Sequence, residues 1–445
     1  MIGQQHGDRQ RGYMVVATNN TKTVLVGTKS PINYPPMGSL YMMDALEKNG
    51  IDCTSVSSDI SQEDLEKIID STETDTLNMS VITSPEIGNT VDLSRGIKKS
   101  RPDVKVIWGG IHPTINTEQC IGENYIDNVI TGNAEETLPG VLKDIRDGKD
   151  IPSVINSVAP RYLDKFSPAW NKLDNLSQFI FPQSHSIRGG KVEDKNIFYY
   201  LSTSRGCPYT CSFCNINTNG KWVAHSAEWT LGQVDLINKR LKEEGVSMDG
   251  IGLWDDMFWI NKKRSDTILN GLKDREIGYL IEARADQLMK KDSELVEKLK
   301  DTGCMQVFIG AESGSQSTLD YLNKRTKVED YNSLIRIAGE KQMPTRFSLI
   351  VGFPHETDSS VNKTLDFSKR INDAEYCSVS GPKLYTPYPG TLEFNRATEV
   401  GFKAPVRTED WGEIHRRSDG YLAKFPWLEK NLKKSTLKRM EKEIR

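Results

Sequence analysis

Apolar residues in the first third of the chain cluster in runs of about five, and between the runs they recur every three or four positions. The runs predict strands over residues 23–27, 51–56, 77–83 and 104–108, and the periodic stretches predict helices over 37–48, 61–70 and 89–99. Ser61 supplies a capping oxygen, Glu63 and Asp64 fall in the first turn behind it, and Gly50 closes the preceding helix. Strand and helix in strict alternation make a parallel sheet with helices on both faces. Open sheets of this kind bind ligands beyond the carboxyl ends of their strands, which gathers the loops 29–38, 84–88, 109–114 and 131–135 into one predicted cleft.

The pattern lapses over residues 151–195, where Pro152, Pro160, Pro168 and Pro182 interrupt the chain and Tyr162 and Trp170 need cover, so this stretch reads as an ordered interdomain strap. From residue 196 alternation resumes, with strands predicted over 197–203, 250–254, 279–283, 305–310, 345–351 and 376–384. Six parallel strands joined by helices form a partial (β/α)6, TIM-like barrel, whose active site belongs at the carboxyl ends of the strands. The fold class is therefore α/β: a Rossmann-like, flavodoxin-like domain over 1–150, the strap over 151–195, the barrel over 196–390, and a mostly helical capping segment over 391–445. Within that segment Leu432, Leu437, Met440 and Ile444 are spaced among charges as in a solvated amphipathic helix. Trp411, His415, Tyr421, Phe425 and Trp427 stand ready to cover the barrel mouth.

The chain has 445 residues, with 58 Lys and Arg against 61 Asp and Glu, and its pI is about 6.2. So even a balance argues against a broad nucleic-acid footprint. No run approaches the roughly 18 to 20 apolar residues that span a bilayer. Seven cysteines, sparse and odd in number, with no secretory leader before them, point to a reducing compartment, the cytoplasm.

Three of those cysteines stand together in Thr203-Ser-Arg-Gly-Cys207-Pro-Tyr-Thr-Cys211-Ser-Phe-Cys214, just after a predicted strand. Thiolates are the usual protein ligands of four-iron clusters, which normally take four, so a compact trio leaves one iron open to a small molecule. The alternatives are a zinc site or three buried thiols. Structural zinc prefers paired Cys or His ligands, whereas Cys53, Cys120, Cys304 and Cys377 are solitary and far apart.

Cys-x-x-x-Cys-x-x-Cys after a first strand resembles the signature of the radical S-adenosylmethionine (SAM) enzymes. At the ends of later predicted strands stand Trp254-Asp255-Asp256, Glu282-Ala-Arg284-Ala-Asp286, Gly310-Ala-Glu312-Ser313-Gly-Ser-Gln316, Val351-Gly-Phe-Pro-His-Glu-Thr357 and Tyr385-Thr-Pro-Tyr-Pro-Gly-Thr391. Their order resembles the barrel of the cobalamin-dependent radical SAM group. In the front domain Pro35-Pro-Met37-Gly38, Trp108-Gly109-Gly110-Ile-His112-Pro-Thr114 and Thr131-Gly132-Asn-Ala-Glu135 resemble its cobalamin-binding domain, and the likeness covers most of residues 20–395.

The resemblance implies a 4Fe-4S cluster on Cys207, Cys211 and Cys214, and SAM contacts from Asp255, Asp256, Arg284, Glu312 and Ser313. An ammonium pairs with carboxylate and a carboxylate with Arg, although each of these residues alone also suits a buried ion pair at a strand end. It further implies cobalamin contacts from Met37, Gly38, Ser84, Gly109, Gly110, His112, Thr131, Gly132 and Glu135, with Gly109 and Gly110 letting backbone approach a flat macrocycle. Cobalamin domains that put a histidine on cobalt usually carry it in the loop after the first strand. Here that loop, Thr28-Lys-Ser-Pro-Ile-Asn-Tyr-Pro35, has none. His112, followed by Pro113, is expected in a polar loop role and not on cobalt.

The implied activity is methylation of an unactivated carbon, or less often phosphorus, of a small molecule or peptide. A 5'-deoxyadenosyl radical removes a hydrogen atom from the substrate, methylcobalamin supplies the methyl, a second SAM remethylates the reduced cobalamin, and an external one-electron reductant of the flavodoxin or ferredoxin type supplies the electrons. The two cofactors are expected to face one shared cavity. Alternatives are a cyclase or rearrangement enzyme with the same cofactors, a radical SAM enzyme with a vestigial cobalamin domain, and a non-catalytic cobalamin sensor. A methylthiotransferase is disfavoured, because its front domain carries its own cysteine cluster while Cys53 and Cys120 are isolated.

Overall fold

The computed structural model describes residues 14–15, 22–28, 34–158, 160–182, 186–187, 190–191, 197–216, 221–289, 294–415 and 421–444. They fall into two compact units. The first comprises Met1–Pro160, Lys165–Asp174 and Pro405–Arg416, and the second Arg161–Asp164, Asn175–Ala404 and Arg417–Arg445.

The first unit is built on parallel strands in the spatial order Thr54–Ser57, Thr23–Gly27, Thr76–Ser80, Lys105–Gly109, Asn128–Thr131 and Val154–Asn156, with Met14–Val15 antiparallel on the outer edge of Thr54–Ser57. Order reverses between Thr23–Gly27 and Thr76–Ser80, and such a switch point opens a crevice at the strand ends. Helices Met37–Glu47, Gln62–Ser71, Ile87–Ser100 and Leu138–Arg146 cover the sheet. Ser61 caps the second of them as expected, its Oγ accepting the Asp64 amide at 3.1 Å.

Three differences from the sequence reading have local causes. The third strand stops at Ser80, not at residue 83, because the Val81 amide turns to Gly109 O at 2.8 Å and Val81 O accepts the His112 amide at 3.1 Å. The Gly109-Gly110 pair does not merely break the chain. Gly110 adopts φ +99° and starts the short helix Ile111–Ile115, so His112 is helical and fully buried and not in a loop. The strand Val154–Asn156, too short to show alternation, extends the first sheet past residue 150.

A Cβ at Gly110 would stand 2.8 Å from Val81 O and 3.0 Å from Val81 N. The glycine is thus required by the protein's own backbone. At Gly109 the nearest atom would be 3.7 Å away, so no close approach demands that glycine. Gly110→Ala should cost about 1–3 kcal/mol from its left-handed φ alone, read as a lower thermal midpoint. A midpoint equal to that of the wild type would refute this account of Gly110.

The second unit holds Ile197–Leu201, Gly250–Leu253, Gly278–Ala283, Cys304–Glu312, Thr345–Val351 and Cys377–Leu384, paired in sequence order and all parallel, with Phe181–Pro182 antiparallel beside the first. Helices separate the last five strands. On the fifth strand Thr345, Phe347, Leu349 and Val351 are buried under helices, while Arg346, Ser348 and Ile350 on the other face are part-exposed and line the lumen. Gly252, also on the lumen face, leaves space for the Tyr200 ring, which a Cβ there would meet at 2.3 Å.

The C-terminal segment is mostly helical but does not act as one cap. Lys434–Glu443 packs by Met440 against the outside of Asp358–Asp373, tied by Arg439 to Asn362 and Asp366. Trp427 is buried and donates from Nε1 to Gly352 O at 2.8 Å. The turn Thr408–His415 instead belongs to the first unit, where Trp411 is buried edge-on to His112 and donates to Gln119 Oε1 at 2.8 Å. The side chains of His415 and Tyr421, and residues 29–33 of the loop without histidine, lie outside the described residues, as do parts of the strap. No helix among the described residues is long and apolar enough to cross a membrane.

Candidate functional site

The first barrel strand ends at Leu201, and the chain there enters the cysteine loop held from several neighbours. Asp255, at the end of the second strand, is fully buried and spends both oxygens on that entry. It accepts the Thr203 amide at 2.5 Å, the Thr203 hydroxyl at 2.6 Å, the Ser204 amide at 3.0 Å and the Ser204 hydroxyl at 2.7 Å. Buried Arg264 closes the same knot from Nη2 to Thr203 O and Oγ1 at 2.8 and 2.6 Å. Asp256, one residue on, accepts the Gly206 amide at 2.7 Å. Gly206 has φ +84°, and a Cβ there would strike Lys221 O.

Further along the loop, the Tyr209 ring carries the Arg284 guanidinium at 3.8 Å, and Asn323 donates to Thr210 O and Oγ1 at 2.9 and 2.8 Å. The Ser212 amide donates to Leu322 O at 2.9 Å and its hydroxyl to buried Glu393 at 2.8 Å. Cys207, Cys211 and Cys214 are thereby held, part-exposed and outside any disulfide, on one braced loop. Burial raises Cys207 and pushes Cys214 up to about 11, so both are thiols until metal takes their protons.

Among the described residues no three His, Cys, Asp or Glu side chains converge as on one metal ion. A cluster that spends one thiolate per iron needs its sulfurs apart instead, and three cysteines outside any disulfide on one anchored loop fit that demand.

Above the lumen lies a charged group. Glu312, at the end of the fourth strand, has φ +65° and pairs with Lys324 Nζ at 2.9 Å, both side chains being buried. The pair fits because Gly310 beneath it has no side chain, and a Cβ there would meet Glu312 Oε1 at 2.7 Å. Burial works against the Lys324 ammonium, but Glu312, Tyr331 and Cys211 together hold its pKa above the ordinary value. Arg284 is committed as well, to Asp286 at 2.9 Å and to Lys324 O at 2.6 Å. Glu282 is part-exposed, and burial with the nearby charges of Asp256, Asp255 and Glu312 pushes it up to about 7. Ser313 is fully buried and occupied by Thr364 at 2.8 Å and by the Ser315 amide at 3.1 Å.

The expected SAM residues are thus brought to one end of the barrel, but in two kinds of position. Asp256 and Glu312 present carboxylates near the cysteine loop. Asp255, Ser313 and largely Arg284 already have their polar atoms engaged by protein. Lys324 and Glu282 belong to the group although the sequence did not single them out. Lys324 sits in Asn323-Lys324-Arg325, a run that reads as solvated surface, and Glu282 stands inside a quoted motif with no partner residue in the sequence to mark it.

In the first unit Ser84, Gly109, Gly110, Thr131 and Gly132 stand at the carboxyl ends of parallel strands or the turns that follow, Met37 and Gly38 open the helix Met37–Glu47, and all are at least part-exposed. Gly132, at φ +74°, donates its amide to Thr114 Oγ1 at 3.0 Å. Small residues at one sheet edge fit a flat ligand. His112 and Glu135 are instead buried. His112 Nδ1 lies 2.9 Å from the Thr83 hydroxyl, and burial lowers its pKa to about 4, so the ring is neutral at ordinary pH.

Two protein-family models match the chain, the B12 binding domain over residues 23–142 and the Radical SAM superfamily over residues 201–368. The chain is 26% identical over 375 residues to an uncharacterized methyltransferase of Pyrococcus horikoshii, across 82% of this chain and 78% of that one. It is 27% identical over 390 residues to the anaerobic magnesium-protoporphyrin IX monomethyl ester cyclase of Cereibacter sphaeroides, across 81% of this chain and 60% of the cyclase. The fold is shared with the cobalamin-dependent S-adenosylmethionine radical enzyme OxsB, solved with aqua-cobalamin and S-adenosylmethionine bound, at a TM-score of 0.65 and 18% identity over 96% of this chain and 62% of that one.

Proposed function

We propose, for a chain that belongs to the cobalamin-dependent radical SAM enzymes through its B12 binding and Radical SAM domains, that it methylates an unactivated carbon or phosphorus of a small molecule or peptide. Its cofactors are a 4Fe-4S cluster, SAM and cobalamin. The carrying observation is the braced cysteine loop at the barrel mouth, with Asp256, Glu312 and Lys324 grouped beside it. When bound, the cluster and SAM supply reductive cleavage to a carbon radical, and cobalamin supplies a transferable methyl group.

The protein's own part is to hold and position. Cys207, Cys211 and Cys214 hold the cluster, and Asp256 and Glu312 accept from the ammonium and ribose of SAM. Asp255, Arg284 and Ser313 act chiefly by fixing the strand ends and the loop. Residues 196–390 form the radical domain. Residues 1–150 hold cobalamin through Met37, Gly38, Ser84, Gly109, Gly110, Thr131 and Gly132, with His112 and Glu135 supporting from beneath. An external flavodoxin- or ferredoxin-type one-electron donor supplies the electrons, in a reducing compartment such as the cytoplasm.

The methyltransferase relative supports methyl transfer, and the cyclase relative keeps ring closure with the same cofactors as the second reading. Methyl-deuterated SAM, incubated with the reconstituted enzyme, a one-electron reductant and the small-molecule fraction of a cell extract, separates them. Methylation places the label in a product and forms deoxyadenosine and S-adenosylhomocysteine in equal amounts once uncoupled cleavage is subtracted. An unlabelled ring-closed or rearranged product, with deoxyadenosine but no S-adenosylhomocysteine, would overturn methylation in favour of the cyclase.

A further inference from the structure

The second unit holds a separate cavity of about 320 Å³, a volume at the small end of ligand pockets. Its walls come from the helices Lys262–Asp274 and Glu294–Asp301, which follow the second and third barrel strands, and from the turns that lead into them. Both helices bury their apolar faces on the outer flank of the barrel, through Ile268, Leu269 and Leu272 on one and Val296 and Leu299 on the other. Neither Asp256, Glu312 nor Lys324 lines the cavity, so it is distinct from the charged group beside the cysteine loop.

The charges of its wall do not all cancel. Lys298 and Asp266 pair with each other at 2.5 Å. Lys262 and Glu294, both exposed, make no hydrogen bond or ion pair among the described residues. Trp259 and Leu295, both part-exposed, add apolar surface to the same wall. One cavity thus offers an uncommitted ammonium, an uncommitted carboxylate and an apolar face. A ligand with charge of one sign would satisfy one of the two groups and be repelled by the other, and a neutral ligand would leave both without a counter-charge. The complement is a small zwitterion with an apolar body.

We infer that this cavity binds a free α-amino acid with an apolar side chain, its carboxylate on Lys262, its ammonium on Glu294 and its side chain against Trp259 and Leu295. It is held apart from the lumen, as an effector and not as the molecule that reacts. Both charges stay in contact with water, so each contributes modestly and the affinity is expected in the millimolar range.

The test is calorimetric titration of the reconstituted holoenzyme, without SAM or reductant, with L-leucine and separately with L-phenylalanine. At least one should bind saturably. Its N-acetyl form, which lacks the ammonium, and its amide, which lacks the carboxylate, should each bind about fivefold more weakly. Lys262→Gln and Glu294→Gln should keep the wild-type thermal midpoint, because both positions are exposed, and should each weaken the parent amino acid by a similar factor. The double variant K262Q/E294Q should no longer saturate. No saturable heat from either amino acid in the wild type would overturn the assignment. So would N-acetyl and amide forms that bind as tightly as the parent, or variants that bind like the wild type. Binding is read here without turnover, so an enzyme that takes leucine through Lys262 and Glu294 but cleaves no SAM would sink the radical SAM reading alone.

Discussion

Alanine at Cys207, Cys211 and Cys214 together should leave a chain that, reconstituted anaerobically, holds background iron in place of the roughly four per chain that a four-iron cluster brings. Deoxyadenosine formation should fall below detection with it. The effect is total if, as proposed, the protein's bonds to the cluster run through these three thiolates, since the other cysteines, Cys53, Cys120, Cys304 and Cys377, are buried elsewhere. Folding is not at stake to the same degree. The loop is braced by Thr203, Ser204, Gly206, Thr210 and Ser212 through backbone and hydroxyl groups that the substitutions leave in place. A near-wild-type melting curve of the metal-free variant would show that iron was lost for want of ligands. Iron retained at about four per chain in the triple variant would end the assignment.

How far the sequence disclosed this site depends on the range over which each residue's role is decided. The barrel strands were legible because each is an apolar run followed by a helix-length segment, and Thr345–Val351 has the boundaries its pattern predicts. The cysteine trio was legible because ligand spacing is local. Roles set by packing were not. Asp255 reads as a ligand-facing carboxylate, yet Thr203 and Ser204, some fifty positions earlier, consume both its oxygens. Gly110 was singled out for close backbone approach, and the packing adds a demand that spacing could not show, since a Cβ there would meet the Val81 backbone. Trp411 and Trp427 look alike in sequence, and only the fold sends one to the first unit and the other to the flank of the barrel. Lys324 was invisible for the same reason, since nothing local tells a buried lysine from a solvated one.

That lysine supports the second large expectation. Glu312 and Lys324 are both buried, 2.9 Å apart, so either charge left alone keeps the desolvation penalty and loses the attraction that offset it. Breaking such a pair from one side typically costs roughly 3–5 kcal/mol. For a unit of this size that corresponds to a fall in thermal midpoint of about 6–20 °C for Lys324→Met. The partner variant, Glu312→Gln, should fall less, because the Gln side-chain carbonyl can still accept from Lys324 Nζ, whereas Met gives Glu312 no donor. Removing both charges, as Glu312→Gln with Lys324→Met, should recover much of the loss, since the penalty belongs to the unpaired ion and not to the absent bond. A second readout is independent of stability. Cys211 is among the groups whose charge acts on Lys324, so this cation favours added negative charge at the cysteine loop. The cluster of a folded Lys324→Met protein should therefore titrate at a more negative potential than the wild type. A single variant that melts with the wild type, or a double variant no more stable than Lys324→Met, would mean that the pair is better solvated than its burial implies. An unchanged potential would place the cation too far from the cluster to act on it.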